Sequence, residues 1–320
     1  MEIPKRSALG YLGVFLRGVV MGAADVVPGV SGGTIAFISG IYDELLYSLS
    51  KINPKLLMVL KDEGIAAVWM RVNGNFLSAL FTGVLVSILS FARLISWALE
   101  SYPTVVWAFF LGLIAASIIY MARQQRAWGA KQVVACALGA LIVLGISFTA
   151  PAQLPGEPWI LFLGGAIAIC AMILPGVSGS FLLLLMGLYP VVIAGVSELN
   201  LSVIGSVALG CIVGLLAFSK LLNWLLEHHH STTFATLIGF LIGSVNVIWP
   251  WKNTVETRLD RHGEIVPLIR ENVLPQNYEV LTGLDPQIFT ALAFSVVGFL
   301  LVLLAEIFLS GSRLSSVDKT

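Results

Sequence analysis

Residues 15–42 read FLRGVVMGAADVVPGVSGGTIAFISGIY, and residues 162–189 read FLGGAIAICAMILPGVSGSFLLLLMGLY. The two align without gaps and agree at eleven of 28 positions. The shared core is Pro28-Gly29-Val30-Ser31-Gly32 against Pro175-Gly176-Val177-Ser178-Gly179, followed by Gly40/Gly187 and Tyr42/Tyr189. A second block, 83–117 against 210–244, agrees at eleven of 35 positions. It pairs Gly83/Gly210, Phe91/Phe218, Trp97/Trp224, Glu100/Glu227 and Gly112/Gly239, and sets Arg93 opposite Lys220. Leu/Val-rich chains match by chance, but Trp, Glu, Pro and a basic residue at fixed offsets do not. The chain is an internal duplication, with one repeat in 1–150 and the other in 151–320.

Composition sets the medium. Of 320 residues 58% are apolar and 11% charged, with a mean hydropathy of +0.93. Soluble domains carry about 25% charged residues, so this chain lacks the material for a water-facing surface. Eighteen basic residues balance eighteen acidic ones, which leaves no basic field for nucleic acid. Apolar stretches at 8–24, 32–49, 76–99, 104–122, 132–149, 159–174, 179–196, 202–226, 233–249 and 287–309 predict an all-α polytopic membrane protein. Polar stretches at 50–75 and 250–286 interrupt them. Cys136, Cys170 and Cys211 lie inside apolar runs, which speaks against a disulfide framework or a metal-binding pair. The N-terminal stretch lacks a small-residue cleavage site and reads as a retained first segment.

If 8–49 enters and returns to one side, the three segments that follow cross fully, and an odd number of crossings inverts the second repeat. Each repeat then has a broken or re-entrant hairpin and three transmembrane helices. A cytoplasmic N-terminus places Lys5, Arg6, Lys51, Lys55, Lys61, Arg71, Arg123, Arg126, Lys131, Arg313 and Lys319 inside, with both termini cytoplasmic. Only Lys252, Arg258, Arg261 and Arg270, in the long 250–286 loop, fall outside. Trp97, Trp107, Trp159, Trp249 and Trp251 mark the outer interface, and Trp69, Trp128 and Trp224 the inner one. The 50–75 stretch reads as an amphipathic segment along the cytoplasmic surface.

Each PGVSG interrupts what would otherwise be helix. Proline removes a donor and restrains the residue before it, glycines permit tight turns, and serine is a good N-cap for the half-helix that follows. Irregular backbone at membrane depth persists only where protein buries it or it lines a cavity. Half-helix N-termini present free N–H groups and partial positive charge, a seat for an anion, and paired discontinuous helices in inverted repeats are a transporter device. A single motif could equally be a packing kink; two at matching positions favour a site.

Intramembrane charges are the second clue. Asp25, opposite Met172, reads either as a loop carboxylate capping nearby N–H groups or as an ion- or proton-coupling site. Arg17, opposite Gly164, either snorkels to the interface or meets a ligand's charge. Arg93 and Lys220 each precede a glutamate, Glu100 or Glu227, by seven residues on the same helix face, as anchoring pairs or as basic gates. Consecutive His228, His229 and His230 splay about 100° apart on a helix and do not converge on one metal. No GxSxG, HExxH or Walker A pattern lies on a crossing segment, so no enzyme and no cofactor is indicated.

Residues 22–44, GAADVVPGVSGGTIAFISGIYDE, together with the second motif ILPGVSGSFLLLLMGLYPVVI, resemble the bacterial and archaeal PopT family of polyprenyl-phosphate transporters over nearly the whole chain. The resemblance implies a flippase of the bacterial cytoplasmic (inner) membrane. It would return the carrier lipid undecaprenyl phosphate from the outer to the inner leaflet in support of peptidoglycan recycling. The candidate substrate-binding residues are Gly29, Val30, Ser31, Gly32, Gly33 and Thr34 in the first copy and Gly176, Val177, Ser178, Gly179 and Ser180 in the second. Arg17, Arg93 and Lys220 are candidates on charge alone, as are Asp25, Glu100 and Glu227 for coupling to H+ or Na+.

A phosphomonoester carries about −1.5 to −2 charges, so its headgroup needs a polar shelter while the prenyl tail stays in hydrocarbon. A lipid substrate requires a groove open sideways, past residues such as Phe181, Leu182 and Leu185. A small inorganic anion, the competing substrate, requires an axial aqueous path. A scaffold with no transport activity is a third reading. The sequence leaves room for a homo-oligomer.

Overall fold

Backbone polar groups find no water in hydrocarbon, so an apolar chain must satisfy them internally, and helices do this locally. The computed structural model describes residues 6–27, 30–125, 127–149, 151–259 and 265–317. Its elements follow the predicted segments closely. The first half contains α1 (Ala8–Asp25), α2 (Gly32–Ile38), α3 (Tyr42–Ser50), α4 (Leu56–Glu63), α5 (Ile65–Arg71), α6 (Gly74–Ser101), α7 (Pro103–Gln124) and α8 (Ala130–Ser147). The second contains α9 (Pro158–Ile173), α10 (Gly179–Leu185), α11 (Tyr189–Ser197), α12 (Leu201–His228), α13 (His230–Ser244), the strands β1 (Lys252–Leu259) and β2 (Ile265–Asn272), α14 (Pro275–Thr282) and α15 (Ile288–Val317).

Among the described residues five helices, α1, α6, α7, α8 and α12, are long and apolar enough to cross a membrane. The pair α10–α11, bent by 108° at its break, makes a sixth candidate. Both hairpins return to the end from which they start. Arg6, just before α1, pairs with Glu44 of α3, and the amides of Ala152 and Leu154, just before α9, donate to the carbonyls of Leu185 and Met186.

Each return path breaks at the same turn. Gly40 (φ +70°) and Gly187 (φ +72°) stand in the left-handed region that favours glycine. The amides of Gly40 and Ile41 donate to the carbonyls of Phe37 and Ala36, and those of Gly187 and Leu188 to Leu184 and Leu183, all at 2.9–3.0 Å. This is the Schellman pattern that closes a helix end and satisfies its last carbonyls.

Packing repeats as well. A Cβ at Gly18 would overlap the Leu80 carbonyl and one at Gly83 the Phe15 carbonyl; at the aligned Gly165 and Gly210 it would overlap those of Val207 and Phe162. Backbone thus lies on backbone between α1 and α6 and between α9 and α12. The central helices pair across the halves: Gly112 and Gly298 join α7 to α15, and Gly239 and Gly139 join α13 to α8, each glycine against a carbonyl of its partner. Small residues at helix crossings let dispersion act where lipid supplies no hydrophobic drive. The mostly buried α7 and α13 form the centre, while Leu89, Leu141, Ile212 and Leu292 point outward, as lipid contact requires.

Two features depart from the sequence reading. The 250–286 stretch folds into an antiparallel hairpin and α14, which the all-α expectation did not include. Trp251, read as an interface marker, is buried: its indole donates to the Pro286 carbonyl, and Trp249 donates to that of Val273, so both tie the hairpin to the bundle. The 50–75 stretch, expected as an amphipathic surface segment, contains the two short helices α4 and α5, whose Leu57, Met58, Ile65 and Met70 are exposed.

Gly83→Ala places a methyl against a carbonyl and is expected to lower stability by roughly 1–3 kcal/mol. Gly145→Ala on α8, where a Cβ meets open space, should be neutral or stabilising by up to about 1 kcal/mol. Thermal unfolding in one detergent compares them; indistinguishable midpoints would refute the backbone-contact account.

Candidate functional site

Extended backbone at Ser31 (φ −122°, ψ 130°) ends the first interruption and starts α2. Its Oγ accepts from the Gly33 amide at 3.1 Å. The hydroxyl donates towards the carbonyls of Met172 (2.8 Å) and Leu174 (3.1 Å), at the end of α9 and the entrance to the second motif. Three residues on, Thr34 Oγ1 accepts from the Gly176 amide at 3.0 Å. A Cβ on Gly33 would overlap the Ile173 carbonyl, so α2 approaches that segment backbone to backbone. The two interruptions, more than 140 residues apart in sequence, are therefore one buried structure, with Ser31 and Thr34 fully inaccessible and Ser178 4% exposed. Val30 and Val177 are buried beside them, whereas Pro28 and Gly29 lie outside the described residues.

The copies are alike in path and unlike in chemistry. At α2 the first three amides are engaged: Gly32 donates to Asp25 Oδ1 at 2.7 Å, Gly33 to Ser31 Oγ and Thr34 to the Ser31 carbonyl. Asp25 therefore caps the half-helix, the first of its two readings. At α10 the position of Asp25 is held by Met172 and that of Thr34 by Phe181. Ser178 Oγ lies 3.0 Å from Ser180 Oγ and accepts only a long 3.5 Å bond from the Phe181 amide. No acceptor among the described residues meets the amides of Gly179 and Ser180. Free N–H groups beside two hydroxyls can receive an anion's oxygens. Phe181, Leu182 and Leu185 on α10 are half-buried, as a side wall would require.

The remaining charges lie elsewhere. Arg17 is half-buried on α1, within electrostatic reach of Arg6 and Glu44. Arg93 and Glu100 on α6, and Lys220 and Glu227 on α12, are exposed and, among the described residues, make no hydrogen bond or ion pair with the motif residues. Neither spaced pair forms an ion pair among the described residues; Glu227 instead accepts from Asn223. Sequence reasoning missed a clasp at the mouth of the first hairpin. Glu44, nearly buried, accepts both guanidinium nitrogens of Arg6 at 2.5 Å and the Asn73 amide at 2.8 Å. Its hydrogen bond raises the Arg6 pKa further above the usual guanidinium value. The sole hint in the sequence was a second acidic residue directly after the quoted motif.

Known proteins similar to this chain fall in one family. A family model described as undecaprenyl phosphate translocase-like matches residues 21–266. A polyprenyl-phosphate transporter of Vibrio cholerae serotype O1 is 45% identical over 295 residues, covering 92% of this chain and 96% of that protein. A polyprenyl-phosphate transporter of Staphylococcus aureus is 31% identical over 253 residues, covering 73% and 85% respectively. No solved structure matches.

Thr34→Val keeps shape and removes the acceptor of a buried amide, an expected loss of about 1–3 kcal/mol in stability. Thr34→Ser should recover most of it. Calorimetric melting distinguishes them; equal behaviour of the two variants would mean that the Thr34–Gly176 bond does not join the motifs.

Proposed function

This chain belongs to the undecaprenyl phosphate translocase-like family, and from that premise we propose that it carries undecaprenyl phosphate from the outer to the inner leaflet of the bacterial cytoplasmic membrane. The observation that carries the reading is the buried junction of the two PGVSG interruptions, with the α10 amides of Gly179 and Ser180 uncommitted next to Ser178. A phosphate there exchanges water for backbone donors, and its prenyl chain need never leave lipid. Matched glycine contacts and matched Gly40/Gly187 turns support a pair of inverted-topology repeats, 1–150 and 151–320. Such pairs expose a central site to each side in turn by rocking one bundle on the other.

Moving an anion inward opposes an inside-negative potential by about 2.3 kcal/mol per charge per 100 mV. Asp25 suggests how the cell meets that cost. Its carboxylate holds the Gly32 amide, the donor that the α2 end would offer to the phosphate. Two anions cannot share that donor cheaply, so H+ or Na+ at Asp25 both neutralises it and frees the amide. Coupling then arises from competition for one N–H group.

In proteoliposomes with labelled undecaprenyl phosphate, Asp25→Asn should transport with a flattened pH or Na+ dependence while the folded yield stays unchanged. A full wild-type dependence in that variant would remove Asp25 from coupling. Failure of the wild-type protein to alter leaflet accessibility would remove the transport reading.

A further inference from the structure

The β1–β2 hairpin covers a cleft of about 460 Å³ at the end of the bundle where α7 begins. Lys252 pairs with Asn272 and Thr254 with Arg270, so Lys252 and Arg270 are diagonal neighbours on one face of the hairpin, and both line the cleft. The one other titratable side chain among the described lining residues is Tyr278 from α14; α7 contributes Pro103 and Trp107, and no carboxylate is present. Neither cation has a hydrogen bond or ion pair among the described residues. Burial, and secondarily Arg270, pull the Lys252 amine down to about 8.

Two like charges drawn together without a protein counter-ion are an arrangement that an anion would relieve. The first turn of the 22-residue α7 adds the positive end of its dipole. The opposite wall is apolar: Leu281 and Leu284 are 52% and 56% exposed, and beyond them Phe289, at the start of α15, is 90% exposed. A half-buried lysine and an exposed arginine beside a greasy exit suit a phosphate bearing a hydrocarbon chain.

We propose that this cleft is a second phosphate-monoester site, separate from the PGVSG junction, which captures the headgroup of a prenyl phosphate while its chain leaves over Leu281, Leu284 and Phe289. As a lipid-loading site it rests on the transport reading above; as an anion site it does not.

The test uses the full-length protein in nanodiscs and farnesyl phosphate carrying a diazirine on its chain, with crosslinked peptides mapped by mass spectrometry. Labelling should fall on 103–107 and 278–284 and drop by about tenfold or more in K252Q/R270Q, since each charge-assisted bond is worth roughly a decade of affinity. It should persist in K252R. In the wild-type protein it should weaken as pH rises from 7 to 9, because the charge on Lys252 is lost while Arg270 stays protonated; K252R should abolish that dependence. Competition by inorganic phosphate at matched concentration, with farnesol ineffective, would assign the site to free phosphate; competition by farnesyl phosphate alone assigns it to the lipid. Unchanged labelling in both K252Q and K252Q/R270Q, or label confined to 172–181, overturns the cleft and leaves the transport reading standing. No displaceable label anywhere overturns both.

Discussion

An interrupted helix inside a membrane leaves donors and acceptors that water cannot reach, and the architecture follows from how they are satisfied. The Met172 carbonyl would be orphaned where α9 ends, and that of Leu174 would keep only a long 3.4 Å bond from the Val177 amide; the Ser31 hydroxyl meets both. The Gly176 amide would be orphaned where the chain turns; Thr34 meets it. Both repairs are supplied by the first hairpin, so the second broken segment is not complete alone. The glycine contacts that press α1 onto α6 and α9 onto α12 hold the hairpins at the depth where this exchange works.

The segment boundaries and the helix break at each PGVSG were legible because Pro, Gly and Ser impose local geometry whatever surrounds them. The Schellman turns at Gly40 and Gly187 could be foreseen from the aligned glycines for the same reason. Contacts between the copies could not. Ser31 and Ser178 look identical in sequence, yet one bonds across the hairpins and the other bonds its neighbour, because Thr34 and Asp25 face Phe181 and Met172 in the other copy. Arg93 and Lys220 drew notice through their alignment. Which way a helix face points depends on its neighbours, and these two point outward. The Arg6–Glu44 clasp spans 38 residues and leaves no periodic trace. The outer hairpin has a weak strand signal because KNTVETRL is mostly polar and its partner IVPLIREN carries a proline.

Divergence between the copies is concentrated where chemistry would differ. Backbone path, turn and helix contact are kept; a carboxylate and a threonine are present on one side only. An equal pair of anion seats would hold a phosphate symmetrically and give no reason for it to leave. Under the proposed transport reading, unequal seats, one occupied by the protein's own carboxylate, would give the headgroup a gradient of affinity across the junction.

The exchanged pairing of the central helices bears on how the molecule is made. α7 and α8 emerge from the ribosome long before their partners, α15 and α13, and their glycine-lined faces wait in lipid until then. The seams on α7 and α8 cannot close until α15 and α13 have been made. Assembly of the centre is thereby tied to late steps of synthesis, and a product terminated before α13 is left with both seams open.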